Sequence, residues 1–293
     1  MSPAEGPVRG TSIIALASLF FALMAVCTRT LAGQVPAAQI SAIRFAVGLG
    51  GSVVLFGLRR RGPDLKRWPL LALRGLLGGA AVLTYFLSIE SLGAAPATVL
   101  NYSSPVFASL FAFLFLKERS SWASRVGLAL ATVGAALVAW AGGQSATQAS
   151  TVGVVAGLAT PVLGGAAMTT IRKVRDDTDS LSVFFSFCLV GLLMSLPLTV
   201  GRWVSLTAPV APALAAVGVL GLLGQLLFTW GMGHTSTTLG SATTQLVPVL
   251  AWILAIGWLK ESVSALAVVG AVLCLSGVMV GVVPWRRSAP LRS

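Results

Sequence analysis

Charge is what this chain has least of. Its 293 residues include 20 Lys or Arg and 8 Asp or Glu, about 10% together, where soluble domains carry about 25%. At a mean hydropathy of +0.91 too little polar surface remains to face water, so soluble classes are excluded and a polytopic membrane protein is expected. Histidine occurs once, and intramembrane chemistry needs convergent His, Asp or Glu groups, so an enzyme is not expected. No G-x-x-x-x-G-K-[ST] run is present, which excludes ATP hydrolysis by a P-loop. Cysteine is scarce as well: Cys27, Cys188 and Cys274 lie inside apolar runs without metal-ligand spacing and read as packing. No catalytic residue, metal or cofactor is expected.

Glycine and proline are plentiful, at 32 and 14, but follow no period, against collagen-like or low-complexity readings. A net charge of +12 in a soluble chain would point to nucleic acid. Here the basic residues fall in short gaps between apolar runs, which is how a membrane protein sets its orientation. The expected partners are the lipid bilayer and a small-molecule substrate, with no nucleic acid.

A helix crossing the hydrocarbon needs about 20 mostly apolar residues. Ten such runs stand between charged or Pro/Gly/Ser-rich breaks: 11–31, 37–58, 68–89, 95–116, 122–141, 151–171, 180–201, 211–232, 238–259 and 263–283. The gaps leave no room for an extramembrane domain. The first run is long, only Arg9 precedes it, and no small-x-small cleavage site follows, which favours a first span over a signal peptide. With both termini in the cytoplasm, the clusters around Arg59–Arg61, Lys117, Arg172 and Arg286 fall inside. Arg202 and Lys260 then lie outside, with Arg29 at the outer edge. The opposite orientation inverts the positive-inside bias. A bacterial cytoplasmic (inner) membrane is the expected location.

A shift of 143 residues overlays the sequence on itself without a gap. Gly10 meets Gly153, Arg29 meets Arg172, Gly48 meets Gly191, Ser52 meets Ser195, and Gly75 and Gly78 meet Gly218 and Gly221. Pro105 meets Pro248, Lys117-Glu118 meets Lys260-Glu261, and Gly127 and Gly134 meet Gly270 and Gly277. Two five-span repeats follow, 1–145 and 146–293. Five is odd, so the second copy enters the membrane from the other side. The expected fold is an all-α membrane protein of ten transmembrane helices, two inverted five-helix repeats (5+5), both termini cytoplasmic. Such symmetry lets two similar halves exchange conformations, giving alternating access, so a transporter is expected. The two halves already sit in one chain, so a monomer suffices without an obligatory protein partner.

Arg44-Phe45 in the second span, Ser104-Pro105-Val106 followed by Leu116-Lys117-Glu118, and Val247-Pro248-Val249 followed by Leu259-Lys260-Glu261 carry a family likeness. The chain resembles the drug/metabolite transporter (DMT) superfamily in its EamA-type branch, over almost its whole length. Within that branch it is most similar to bacterial amino-acid exporters of the YddG type. The resemblance implies export of aromatic or other neutral amino acids. Phe187 stands where the first repeat has Arg44, so any role of that Arg belongs to one half.

Substrate sites in such folds lie near the membrane midplane at the repeat interface. Pro105 and Pro248 sit near the centres of spans four and nine, and each frees a carbonyl one turn earlier, at Asn101 and Thr244. These prolines are candidate hinges, with plain packing kinks as the alternative. Candidate cavity-lining residues are Tyr85, Phe86, Asn101, Tyr102, Gln225, Phe228, Trp230, Thr244 and Gln245. An unpaired amide in hydrocarbon is costly, so these groups face other helices or a wet cavity. Interhelical hydrogen-bond glue is the plainer reading, worth about 0.6 kcal/mol each. Arg44 is an intramembrane charge with Glu90 as candidate partner; the alternatives are snorkelling and a structural pair. Gly127 with Gly134 fits close helix approach. No acidic residue lies near the midplane, which favours facilitated export over proton antiport. Export of drugs or toxic cations, and a channel-like protein, are the competing readings.

Overall fold

The computed structural model describes residues 5–31, 34–92, 100–118, 121–141, 151–207, 210–259 and 265–282. Among the described residues the chain is helical, with no strand. The order is α1 (Glu5–Thr30), α2 (Ala37–Arg59), α3 (Trp68–Leu92), α4 (Ser104–Leu116), α5 (Trp122–Ala141), α6 (Thr151–Val174) and α7 (Ser180–Ser195), which runs on into a 3₁₀ turn, Leu196–Thr199. Then come α8 (Val210–Met232), α9 (Thr237–Thr243), α10 (Leu246–Leu259) and α11 (Ala265–Val282). Six described spans, in α1, α2, α3, α6, α7 with its 3₁₀ turn and α8, are long and apolar enough to cross a membrane. Shorter apolar helices lie at Ser104–Leu116, Arg125–Gly134 and Val268–Val280.

The surface is inside-out relative to a soluble protein. Leu58, Phe115, Trp122 and Met279 stand exposed on the outside, whereas Ser18, Ser41, Ser52, Ser186 and Ser195 have no exposure at all. Hydrocarbon tolerates the first set and rejects the second, so small polar residues turn inward and bond to their own helix. The Ser52 hydroxyl donates to the Gly48 carbonyl and the Ser195 hydroxyl to the Gly191 carbonyl, each at 2.7 Å.

Helix starts follow the 143-residue shift: Ala37 maps to Ser180, Trp122 to Ala265 and Ser104 to one residue past Leu246. So do the close approaches at glycine. A Cβ on Gly75 would meet Val190 Cβ at 2.7 Å, and one on Gly218 would meet Val47 Cβ at 2.7 Å. A Cβ on Gly48 would meet Cys188 Sγ at 2.6 Å, and one on Gly191 the Phe45 ring at 2.6 Å. Helices α5 and α11 cross backbone to backbone. A Cβ at Gly134 would strike Cys274 N and Gly270 O, and one at Gly277 would strike Ala131 N and Gly127 O. In each pair, adding 143 to the first-half partner and subtracting 143 from the second-half partner of the first contact gives the second in reverse. Helix pairing repeats likewise: α3 packs on α6 as α8 packs on α1, and α3 on α7 as α8 on α2.

The fourth and ninth runs differ from the continuous spans expected. The ninth run divides into α9 and α10, with Thr244-Gln245 in a turn between them. In the fourth, helical residues 100–101 are followed by a turn at Tyr102-Ser103 before α4 begins; residues 93–99 lie outside the described set. The cause is proline. Pro248 and Pro105 cannot donate to the carbonyl four residues earlier, and their rings push that carbonyl aside. The chain tightens to three-residue bonds instead, Gln245 N–H to Ala242 O at 3.1 Å and Val106 N–H to Ser103 O at 3.0 Å.

Candidate functional site

The two helix breaks meet. Gln245 has no exposure; its Nε2 donates to the Tyr102 carbonyl at 2.7 Å and to the Thr132 hydroxyl at 2.9 Å. Tyr102 is the residue 143 positions before Gln245, so the broken point of one run is tied to the broken point of the other. The Gln245 carbonyl accepts from the Cys274 thiol at 3.1 Å, which anchors the break to α11. Gln245 Oε1 is buried without a partner. A lone acceptor in that setting is costly to leave without a donor.

The two carbonyls that proline frees in the sequence reading do not stay free. The Ser104 hydroxyl donates to Asn101 O at 2.5 Å, and Val247 N–H donates to Thr244 O at 3.0 Å. Unpaired carbonyls at this depth are costly, and the turns at the breaks supply donors locally. The Thr244 hydroxyl is also engaged, donating to Ser241 O at 2.6 Å.

The other expected site residues divide by location. Tyr85 and Tyr102 lie within electrostatic reach of each other, and the Tyr85 and Phe86 rings stand 5.7 Å apart. Asn101, Tyr102, Tyr85 and Phe86 are half-buried. Gln225 is buried on α8, with its amide 3.5 Å from the Thr229 hydroxyl. Phe228 is packed among Ile14, Ala17, Ile171 and Met232, edge-on to Phe21 at 6.3 Å. Trp230 is not brought together with these. It is 37% exposed, with Arg9 5.5 Å above its ring and His234 edge-on at 5.6 Å. The Glu90 side chain lies outside the described residues.

One residue was missed in the sequence reading. Arg74, on α3, is 4% exposed, and its Nε and Nη1 are buried without partners. Its guanidinium lies over the Phe187 ring at 4.2 Å. Arg44 crosses α8 at Gly221, where a Cβ would meet its Nε at 2.9 Å. Phe187 occupies the position matched to Arg44, and Gly78 the position matched to Gly221. The signal was available: an Arg six residues inside an apolar run with Gly one turn later.

The end of the bundle bearing the basic clusters, here called the basic end, carries a second constellation. Lys117 takes a left-handed conformation (φ 55°) after α4, and the chain turns so that Glu118 reaches α9. Glu118 Oε2 accepts from Thr237 N–H at 3.0 Å, and its Oε1 lies 3.6 Å from Arg172 Nε at the end of α6. A carboxylate at a helix N-terminus satisfies an orphan donor and meets the positive end of the dipole. One side chain thus ties α4, α6 and α9 together. Nearby, burial lowers the Arg175 guanidinium below its ordinary range, while Asp179 opposes the shift. Among the described residues no group of three or more His, Cys, Asp or Glu could hold a metal.

Comparison with known proteins agrees with this architecture. The EamA-like transporter family matches residues 8–140 and again 151–283, two segments offset by 143. The pseudopaline exporter CntI of Pseudomonas aeruginosa (strain UCBPP-PA14) is 30% identical over 274 residues, spanning 90% of this chain and 92% of that protein. A probable terminal-alkyne amino-acid exporter of Streptantibioticus cattleyicolor is 33% identical over 247 residues, covering 82% and 80%. A crystal structure of a protein 21% identical in sequence superposes with a TM-score of 0.79 over 93% of this chain and 96% of that one, a likeness of fold. The chain is an integral membrane protein and belongs to the EamA-like transporter family of the drug/metabolite transporter superfamily.

Proposed function

We propose that this protein exports small metabolites of amino-acid type, aromatic or otherwise neutral, by alternating access around a cavity between two inverted five-helix halves. The observation that carries the reading is the junction of two interrupted helices through Gln245 and Tyr102. Transporters use discontinuous helices to hold substrate where two repeats meet, and the buried, unpartnered Gln245 Oε1 sits at such a break. Matched helix starts, matched glycine contacts and the double family match support the two-half architecture. Inversion follows from an odd number of spans per half. The basic end is the cytoplasmic one on the positive-inside rule, and the membrane is a bacterial inner membrane.

In this mechanism the Glu118 contacts with Thr237 and Arg172 close the cytoplasmic end. Under the 143 shift Arg172 maps to Arg29 and Glu118 to Glu261, which supplies an equivalent pair for the opposite end. Breaking one pair while forming the other moves access across the substrate. Pro105 and Pro248 act as hinges, and the aromatic groups Tyr85, Phe86 and Tyr102 line the path with Asn101, Gln225 and Gln245. Asp64, Glu118, Asp176, Asp177 and Asp179 all stand in or beside connections between helices, which favours facilitated export over proton antiport.

The test is uptake of labelled neutral amino acids into proteoliposomes without ion gradients. Saturable flux, competed by unlabelled aromatic and aliphatic amino acids, is the expected result. Flux that appears only with a pH gradient overturns the facilitated mechanism. Flux proportional to concentration without saturation points to a pore.

A further inference from the structure

Two arginines inside the bundle have no anion to balance them among the described residues. Arg74 is the seventh residue of α3, close to the basic end, where a long basic side chain ordinarily snorkels outward to water. It does the reverse. Its Nη1 lies where a Cβ on Gly78 would be, one turn deeper, and its guanidinium rests on the Phe187 face. Gly78 is the residue that leaves this inward path open. Arg44 approaches from α2 across Gly221, within electrostatic reach of Arg74.

The acidic residues whose side chains are described are engaged elsewhere. Asp176 and Asp177 pair with Arg172 and Arg67, Asp179 caps α7, Glu118 holds α9, and Asp64 accepts from Lys66 N–H. Glu90 stands on α3 sixteen residues beyond Arg74 (90 − 74), about 24 Å along a helix. Glu5 begins α1, and Glu261 lies between α10 and α11. Among the described residues no carboxylate is paired with Arg74. A cation–π contact on Phe187 offsets part of the desolvation, but two buried N–H donors still lack an acceptor.

We propose that Arg74, seconded by Arg44, is the docking point for the carboxylate of the transported metabolite. The proposal rests on the transporter reading above and adds the substrate group that is bound. A guanidinium meets a carboxylate with parallel, charge-assisted hydrogen bonds, and burial against Phe187, itself packed with Phe45, Phe184 and Cys188, strengthens them. The asymmetry of the two halves fits one anion: the positions matched to Arg44 and Arg74 are Phe187 and Val217.

The test is binding to the purified full-length protein in neutral detergent, read by thermal shift and titration. The probes are L-leucine, benzoate and succinate, each compared with its amide, and inorganic phosphate. Carboxylates are expected to stabilise the protein and amides not to. Arg74→Gln should weaken carboxylate binding about ten- to a hundredfold, the weight of one or two charge-assisted hydrogen bonds. If Arg74→Gln does not fold, Gly78→Ala serves, since it keeps the charge and displaces the guanidinium; it should weaken carboxylates too. Carboxylate binding unchanged in these variants, equal binding of acids and amides, or binding of phosphate alone each overturns the proposal. Metabolite flux that persists without carboxylate preference leaves the transporter reading standing without this site. Carboxylate binding that needs Arg74, in a protein without flux, supports the site and refutes the transporter reading.

Discussion

The two halves of the chain differ in an instructive way. Positions that pack helix against helix agree: Gly48 with Gly191, Gly75 with Gly218, Gly134 with Gly277, each contacting the matched partner. Positions that face polar chemistry disagree: Arg44 against Phe187, Arg74 against Val217, Tyr85 against Phe228, Tyr102 against Gln245. The α5–α11 crossing demands the same small residues on both halves, because a backbone contact has no slack on either side. A substrate has no such symmetry. On the proposed function, the positions free to differ are those that would hold a single ligand.

The largest effect should come from the shared positions. Gly134→Ala and Gly277→Ala each place a Cβ on the opposing backbone of the α5–α11 crossing, and each is expected to cost about 1–3 kcal/mol or more. Unfolding in mixed detergent should find the two costs similar; a large loss in one and none in the other would break the comparison. Gln245→Leu comes next. It strips the donor from Tyr102 O and Thr132 and should cost about 1–3 kcal/mol, whereas Tyr102→Phe keeps the carbonyl and should cost less than half as much. Transport should fall in the first variant well before folding does.

Smaller in stability but sharper in function are the end contacts. Glu118→Gln and Arg172→Gln are expected to cost under about 1 kcal/mol, since the pair is partly exposed. Maleimide labelling of a cysteine at His234 should nevertheless speed up, while Arg29→Gln should slow it. Labelling that moves the same way in all three would separate these residues from gating. The smallest effect is glue: the Thr160 hydroxyl donates to Thr84 at 2.9 Å, and Thr84→Val should cost only about 0.6 kcal/mol.

What the sequence by itself determined is the frame. Composition required a membrane, apolar runs located most of the described helices within a few residues, and Gly127 with Gly134 marked a close helix approach. These are legible because lipid imposes one rule on every spanning segment, and backbone contact imposes another on every crossing. Gln245, Asn101 and the two prolines could be singled out as well, because a polar group or a helix breaker at that depth is rare.

Only the tertiary structure decided how they are used. The amide of Gln245 reaches the carbonyl of Tyr102, 143 residues away, and no local pattern encodes that bond. The carbonyls next to the prolines find donors in their own turns, which depends on the turn geometry rather than on the presence of proline. Trp230 counts among the cavity candidates by sequence but stands 37% exposed, on a different face of α8 from Gln225, Phe228 and Met232. Arg74 is not singled out from the sequence at all. Its inward path over Gly78 onto Phe187 exists only once α3 and α7 are packed together, for a charge at that depth takes the direction in which the folded protein offers it contact.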